Sequence, residues 1–257
     1  LDRQAFERVC RLTPDLLSGM RMVILTPDEP GALSQRVEFF HRLNSSVFLE
    51  TTAAEQADLG IAAGVDAIIA KGQEAGGWVG DEPALILLQR MVRRVSVPVW
   101  AHGGIGLHSI AACYAAGVAG VVLDAQLALC RESSLSEAVK AAVGRMDGSE
   151  TVCVGEELGA AFRLYARPGP RSVESLRLTA RALSEDTCPR RALLLRWQQA
   201  VEEGSWWDSA GGSVWPLGQD AAFAAPWAKR FVTVGGVLHG LRKEMHHHVQ
   251  AARTLRP

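Results

Sequence analysis

The chain has 257 residues, of which 48% are apolar, and its 27 Lys and Arg against 28 Asp and Glu give a formal net charge of −1. A chain of this length and composition can bury a full core, which excludes a disordered chain, a collagen and a disulfide mini-protein. The near-neutral balance offers no global field to attract nucleic acid or an anionic membrane surface, so it favours a small-molecule partner.

Cysteine usage and hydropathy indicate the compartment. The five cysteines contain no CxxC pair and no histidine at metal-ligand spacing, and no apolar run is long enough to span a bilayer. These patterns predict a cytoplasmic protein with reduced thiols and no metal site. The chain begins Leu1-Asp2-Arg3, without Met and unlike a signal peptide, so we expect it to be part of a longer protein.

The first 146 residues repeat one pattern, in which a short apolar run is followed by a break and then by an amphipathic stretch. Helical stretches are predicted at 31–43, 52–63, 83–95 and 107–116. Short apolar runs separated by helices are typical of a parallel sheet, so this region is predicted to be α/β. The apolar runs are Met22–Leu25, Val47–Leu49, Ala67–Ala70, Val97–Ala101 and Gly120–Leu123.

The number of repeats sets the extent of the predicted barrel. A complete eight-fold TIM barrel typically takes about 250 residues, whereas five units occupy residues 1–146 here. We therefore predict a partial TIM barrel, with strands four to eight, followed by a mainly helical extension over residues 147–257. Within that extension, a linker is predicted at 165–172 and helices at 190–203, 219–230 and 236–253.

Aromatic and histidine residues of the extension allow two interpretations each. Trp206, Trp207 and Trp215 lie in a loop rich in Gly, Ser and Pro, where they could stack on a ligand or fix the loop to the underlying surface. The run His246–His248 could bind a metal ion or form a solvated helix face. Consecutive helical side chains point about 100° apart, which favours the solvated face.

Three segments that could carry chemistry follow predicted strands, at the end where barrels and open sheets place ligands. The first is Lys71–Gly80, whose four glycines predict a close approach of the backbone to a ligand. The second is His102–Gly106, a glycine turn that leads into a helix and leaves N–H groups available to a phosphate. The third is Asp124-Ala125-Gln126. If the last two runs are strands seven and eight, the second and third segments share one phosphate.

Several of these motifs together resemble the FMN-dependent nitronate monooxygenases, once called 2-nitropropane dioxygenases. The resemblance extends over about residues 20–135, and the tryptophan after EAGG and the tail Trp215–Phe223 are closer to such domains within very large polyketide and polyunsaturated fatty acid synthases. The segments that carry it are Gly64–Ala67, Lys71-Gly72, Glu74–Gly77, Pro98-Val99, Gly103–Ile105, Gly117, Gly120-Val121 and Arg131–Ser133.

This resemblance implies an FMN cofactor and assigns roles to individual residues. Lys71 and Gly72 would lie near the isoalloxazine, Gly76 and Gly77 along the flavin, and Gly103 and Gly104 at the phosphate. Asp124, Ala125 and Gln126 stand at the remaining phosphate loop, where the family usually has Gly-Thr; a carboxylate there would repel a phosphate unless a cation intervenes. A small-molecule or carrier-bound acyl substrate and the rest of a multidomain synthase are the implied partners.

The catalytic position departs from the family pattern. Trp78 stands where the family has its catalytic histidine, and an indole N–H donates a hydrogen bond but cannot accept a proton from carbon. Oxidation of an already deprotonated nitronate, or hydride transfer from reduced flavin to an enoyl thioester, would survive this change. His102 could act as a replacement base or as a structural histidine.

Three functional hypotheses therefore stand. The chain could be an FMN-dependent oxidoreductase domain, or a non-catalytic degenerate barrel that serves as a structural or docking module of a megasynthase. It could also be a different phosphate-binding barrel, such as a nucleotide-processing oxidoreductase. Enzymes of that last kind usually carry a catalytic cysteine loop, and neither Cys113 nor Cys130 lies at a predicted strand end before glycines.

Overall fold

The computed structural model describes residues 3–11, 17, 19–166, 171–204 and 214–254. The strands of this part are β1 (Met22–Leu25), β2 (Ser46–Thr51), β3 (Ala67–Lys71), β4 (Gly77–Val79), β5 (Val99–His102), β6 (Gly120–Val122), β7 (Thr151–Val154) and β8 (Ala161–Tyr165). Its α-helices are α1 (Arg3–Val9), α2 (Pro30–Arg42), α3 (Ala54–Ala63), α4 (Ala84–Arg94), α5 (Ser109–Ala115), α6 (Glu137–Val143), α7 (Arg171–Ser184), α8 (Arg190–Gly204), α9 (Ala224–Phe231) and α10 (Val234–Thr254).

A five-stranded sheet in the order β1-β2-β3-β5-β6 forms the first layer, and all its neighbouring strands are parallel. Each predicted apolar run contributes one of these strands, so the predicted α/β class is confirmed. Every residue of β3 is buried, as expected for a central parallel strand with both faces covered. Among the described residues β1 and β6 are the two edges, so the barrel is not closed.

The helices between the strands cover the outer face of this sheet. Leu33, Val37 and Phe40 of α2 and the fully buried Leu87 and Met91 of α4 pack in one apolar core with the strands. The predicted helices match α2, α3 and α4 to within two residues at each end. Their ends were readable because they obey local rules: α3 ends at Gly64, whose φ of 83° is the left-handed cap conformation that glycine favours.

A second sheet was not predicted. β4, β8 and β7 form an antiparallel three-stranded sheet, in which Trp78 of β4 pairs with Phe162 of β8. The extension is therefore mainly helical, as predicted, and also contains a β-hairpin of β7 and β8. β4 is three residues long inside a glycine-rich segment, so it has too few residues to show a period of two.

The remaining predictions for the extension had mixed outcomes. The helix predicted at 190–203 is α8, whereas the one predicted at 219–230 is a 3₁₀ turn over Gln219–Phe223 followed by α9. Of the linker predicted at 165–172, residue 165 ends β8, α7 begins at 171, and 167–170 lie outside the described residues.

Two features of this extension bear on the aromatic residues and on membranes. Trp215 is buried and stacks on Tyr165 at 5.6 Å between ring centroids, which agrees with a packing role; Trp206 and Trp207 lie outside the described residues. None of the helices that the structure describes has both the length and the apolar composition needed to cross a membrane.

Candidate functional site

The candidate site lies at the carboxyl ends of the strands of the parallel sheet. Lys71 ends β3, His102 ends β5, and the two residues are direct partners in the ladder between these strands. Asp124 follows β6, the next strand along. Because neighbouring parallel strands have their carboxyl ends at the same end of the sheet, the three predicted segments lie together there.

A buried charge cluster joins the ends of β2, β3 and β5. Glu50 Oε1 accepts a hydrogen bond from Lys71 Nζ at 3.0 Å, and Glu50 Oε2 lies 3.2 Å from His102 Nδ1. Burial alone would raise the pKa of Glu50, but the hydrogen bond with His102 and the charge of Lys71 outweigh it and lower that pKa to about 2. Glu50 is therefore ionised and Lys71 is held in an ion pair. Sequence reasoning did not single out Glu50.

The two predicted phosphate bends lie side by side. Gln126 is fully buried, and its Nε2 donates a hydrogen bond to the carbonyl oxygen of Ile105 at 3.2 Å. Its Oε1 accepts one from the backbone N–H of Asp124 at 2.8 Å. One side chain therefore ties the bend at 103–106 to the bend at 124–126, across the ends of β5 and β6.

These bends present backbone donors that nothing else uses. Within the part of the chain that the structure describes, the N–H groups of Gly104, Ile105, Ala125 and Gln126 donate no hydrogen bond. Adjacent unpaired amides form a nest that suits an anion. The side chain of Asp124, whose charge we expected to oppose a phosphate, is exposed. The donor set therefore fits the phosphate group of a cofactor.

Glycine at the bends and in the preceding loop is required for two different reasons. Gly103 and Gly104 have φ values of 102° and 63°, in the left-handed region that other residues rarely adopt. Gly72 and Gly76 instead permit close contact: a Cβ on Gly72 would overlap the backbone of Ala84, and one on Gly76 would overlap the carbonyl oxygen of Pro216.

Gly77 and Glu74 complete the glycine-rich loop. Gly77 has φ of 79°, and a Cβ on it would lie 3.8 Å from Lys71 Nζ, so this glycine lies beside the charge cluster. The carboxylate of Glu74 accepts a hydrogen bond from the N–H of Ala84 at 2.9 Å. It thereby satisfies a free N–H at the start of α4 and fixes the loop to that helix.

The tail that begins at Trp215 packs over this loop and the second bend. The N–H of Gln219 donates to the carbonyl oxygen of Glu74 at 2.8 Å, and the turn Gln219–Phe223 packs against the turn Ala125–Leu127. Sequence reasoning used this tail for the family resemblance but assigned it no site residue. The sequence feature that could have identified a site residue here is Asp220, an acidic residue among small apolar ones.

Asp220 and His102 place unpaired polar atoms in the interior. Asp220 is 2% exposed, and among the described residues neither of its carboxylate oxygens has a hydrogen-bond partner; His102 Nε2 is also buried without one. Burial, followed by the charge of Asp124, raises the pKa of Asp220 to about 7. Buried polar atoms of this kind are rare in folded proteins and often mark a functional site.

Trp78 lies at a separate cavity, of about 730 Å³, between the sheet and α8. Its indole packs edge-to-face on Phe162, with 5.0 Å between ring centroids, and approaches Trp197 at 6.4 Å. Leu194, Leu195 and Trp197 line the cavity, together with Glu50 and charged residues that include Arg36, Arg190 and Arg191. The cavity can therefore admit a molecule with an apolar part next to the buried charge cluster.

A parallel sheet with an anion site at the loops after neighbouring strands is typical of phosphate-binding α/β barrels. Within that class, the family model for nitronate monooxygenase matches residues 4–212. The chain therefore belongs to the nitronate monooxygenase family, a family of flavin-dependent oxidoreductases.

Curated relatives agree with this assignment over part of their length. A nitronate monooxygenase of Pseudomonas aeruginosa is 33% identical over an alignment of 138 positions, and the match covers 47% of this chain and 39% of the relative. The (3aS,4S,5R,7aS)-5-hydroxy-7a-methyl-1-oxo-octahydro-1H-indene-4-carboxyl-CoA dehydrogenase of Rhodococcus jostii is 33% identical over 113 residues, 42% of this chain and 32% of the relative. The chain thus matches 32% to 39% of the lengths of these relatives.

Solved structures share the fold at low sequence identity. FabK from Thermotoga maritima has a TM-score of 0.70 and 21% identity, over 91% of this chain and 70% of its own. The nitroalkane oxidase from Streptomyces ansochromogenes has a TM-score of 0.64 and 24% identity, over 93% of this chain and 68% of its own. The enoyl reductase domain of MlnA, from the macrolactin biosynthesis cluster of Bacillus amyloliquefaciens, has a TM-score of 0.59 and 10% identity, over 90% of this chain and 81% of its own.

Proposed function

We propose that this chain is an FMN-dependent oxidoreductase domain that acts on an apolar substrate, with residues 1–146 as the C-terminal part of the barrel and 147–257 as an extension. The observation that carries the proposal is the pair of bends tied by Gln126, which together hold four unused N–H groups. Membership of a flavin-dependent family supports the identity of the cofactor.

The bound flavin would be held by the site residues named above. The N–H groups of Gly104, Ile105, Ala125 and Gln126 would bind its phosphate, and Gly77 and the Lys71 ammonium group would lie nearer its ring. When bound, FMN supplies reversible two-electron redox chemistry. The chain's own residues would position the cofactor, and the apolar side chains near Trp78 would exclude water from the substrate.

The substrate class follows from Trp78 and the cavity beside it. An indole cannot remove a proton from carbon, so Trp78 favours a substrate that needs no base at this position. The apolar side chains of Leu194, Leu195 and Trp197 suit an acyl chain, so we favour reduction of an enoyl thioester, free or on a carrier. The enoyl reductase domain among the similar structures agrees with this choice. A nitronate is the second candidate, because it too needs no base.

The proposal extends to the cellular context. The tail and the tryptophan after EAGG support a place within a multidomain cytoplasmic synthase of the polyketide or fatty acid type. Such a synthase would deliver the substrate on a carrier. The contrasting hypothesis, a non-catalytic module, predicts that the protein neither binds flavin nor turns over either substrate.

The test is anaerobic mixing of the reduced FMN-loaded protein with a crotonyl thioester. We expect the oxidised flavin spectrum to return at a rate that depends on thioester concentration. In a parallel assay, oxygen uptake with propyl-2-nitronate measures the second candidate activity. If neither reaction occurs although FMN is bound, the proposed oxidoreductase function is wrong.

Replacing Trp78 with His should introduce oxidation of neutral 2-nitropropane, which we expect the natural chain to lack. The imidazole can accept a proton, and general-base catalysis typically contributes about 10²-fold or more. The change also removes the contacts with Phe162 and Trp197, at a cost of about 2 kcal/mol in the free energy of unfolding. Oxygen uptake with 2-nitropropane measures the gain; Trp78→Phe, which has no base, is the matched control and should show none.

A further inference from the structure

We propose that Asp220 couples anion binding at the paired bends to the uptake of one proton, so that the site binds a phosphate while Asp220 is neutral and releases it when Asp220 ionises. This inference rests on the proposed function only for the identity of FMN. The anion site itself is defined by the unused N–H groups of the bends.

The position of Asp220 supports this role. The turn Gln219–Phe223 that carries Asp220 packs directly on the turn Ala125–Leu127, which supplies two of the unused N–H groups. A Cβ on Gly218 would lie 2.7 Å from Asp220 Oδ1 and 2.7 Å from the backbone nitrogen of Gly76, so the carboxyl group is next to the glycine-rich loop. Asp220 therefore lies between the loop and the bend.

The charges around Asp220 determine which form it takes. Asp124 from the end of β6 and Glu74 from the glycine-rich loop are negative and favour the neutral carboxyl group, and His102 from the end of β5 favours the ionised one. With burial added, the pKa of Asp220 is raised to about 7. Ionisation thus falls in the physiological range, rather than in the acid range where an exposed aspartate titrates.

A phosphate bound at the bends would bring a further negative charge to this group. Like charges disfavour ionisation, so the bound anion raises the pKa of Asp220 again, and by linkage the ionised carboxylate weakens anion binding to the same extent. Above pH 7, where free Asp220 is ionised, up to one proton is taken up per anion bound: the Asp220 carboxylate takes a proton from solvent and becomes a carboxylic acid. No other group is oxidised, reduced or released.

The experiment measures the dissociation constant of FMN by quenching of flavin fluorescence between about pH 6 and pH 9. We expect that constant to increase above pH 7, approaching tenfold per pH unit, in the natural chain. The variant Asp220→Asn, which has the same shape but cannot ionise, should bind FMN with a constant that changes little over this range. Asp220→Ser is a second non-ionising variant, in case the first fails to fold.

Two controls separate the coupling from other effects. The second ionisation of the FMN phosphate, with a pKa of about 6, affects every variant equally and cancels in the comparison. Asp81→Asn removes one exposed carboxylate and should retain the natural pH profile. Riboflavin, which has no phosphate, should bind with a weaker pH dependence than FMN.

The outcomes distinguish this inference from the proposed function. Equal pH profiles for the natural chain and both Asp220 variants overturn the inference and leave flavin binding intact. If FMN fails to bind, the stabilisation of the fold by inorganic phosphate over chloride at equal ionic strength provides the readout. If phosphate stabilises the fold and this stabilisation fades above pH 7 only when Asp220 is present, the inference is supported without the flavin. If phosphate does not stabilise the fold at any pH, the inference and the proposed function are both wrong.

Discussion

Gly76→Ala is expected to destabilise the chain by about 3 kcal/mol and to weaken FMN binding strongly. A Cβ at this position would overlap the carbonyl oxygen of Pro216 and lie 2.9 Å from the nitrogen of Gly218. These are backbone atoms, so the clash cannot be relieved by a change of rotamer. The tail must move away from the loop, and Asp220 moves with it. Urea unfolding measures the loss of stability.

Gly31→Ala is the matched control for this prediction. Gly31 lies in the first turn of α2, and a Cβ there would meet no atom of the described residues within 4 Å. The substitution should change the free energy of unfolding by less than about 1 kcal/mol, in the stabilising direction. If Gly76→Ala unfolds at the same urea concentration as Gly31→Ala, the result contradicts close packing of the tail on the glycine-rich loop.

Lys71→Met should reduce the free energy of unfolding at neutral pH by about 3 kcal/mol. The change leaves the Glu50 carboxylate largely buried, and within the described part of the chain His102 is then its remaining partner. A buried charge that loses its counter-ion is more costly than a pair that was never formed. Urea unfolding at pH 7 measures the loss, and Lys71→Met combined with Glu50→Gln should recover part of it because both charges are then absent.

The acid dependence of stability gives an independent check on this ion pair. The pKa of Glu50 is lowered from 4.5 to about 2 in the folded chain, so its contribution to stability is present above pH 4.5 and is lost as the pH falls towards 2. Lys71→Met should lose less stability over that acid range than the natural chain does. A variant with an unchanged acid profile would contradict a role for Lys71 in lowering the pKa of Glu50.

The five-stranded sheet could be predicted because its strands are continuous apolar runs with helices between them. The antiparallel sheet could not. β4 is three residues long, and its partner β8 is more than eighty residues away, so nothing local marks the pairing of Trp78 with Phe162. Short strands without a period acquire their structure from tertiary contacts, which one sequence does not display.

The site shows the same division between local and long-range information. The glycines at 103 and 104 were predicted to form a phosphate bend because a glycine turn that leads into a helix leaves N–H groups available. Their left-handed φ values agree with such a turn. Glu50 and Asp220 were not predicted, because their significance comes from burial and from neighbours distant in the sequence. The position of Gln126 was predicted from its bend, but the role of its side chain depends on a carbonyl group of another bend.

The central claim, that the two bends form one site for the phosphate of FMN, is tested most directly by measuring FMN binding to the natural chain and to Gln126→Ala. The substitution removes the hydrogen bond to Ile105 that joins the bends and the one to Asp124 within the second bend, whereas Gln89→Ala removes an exposed side chain that donates a hydrogen bond to Leu85 of its own helix. We predict that the natural chain and Gln89→Ala retain FMN through gel filtration, and that Gln126→Ala binds it at least about tenfold more weakly, a difference of roughly 1.4 kcal/mol. A natural chain that binds no FMN, or a Gln126→Ala variant that binds it equally well, would contradict the account.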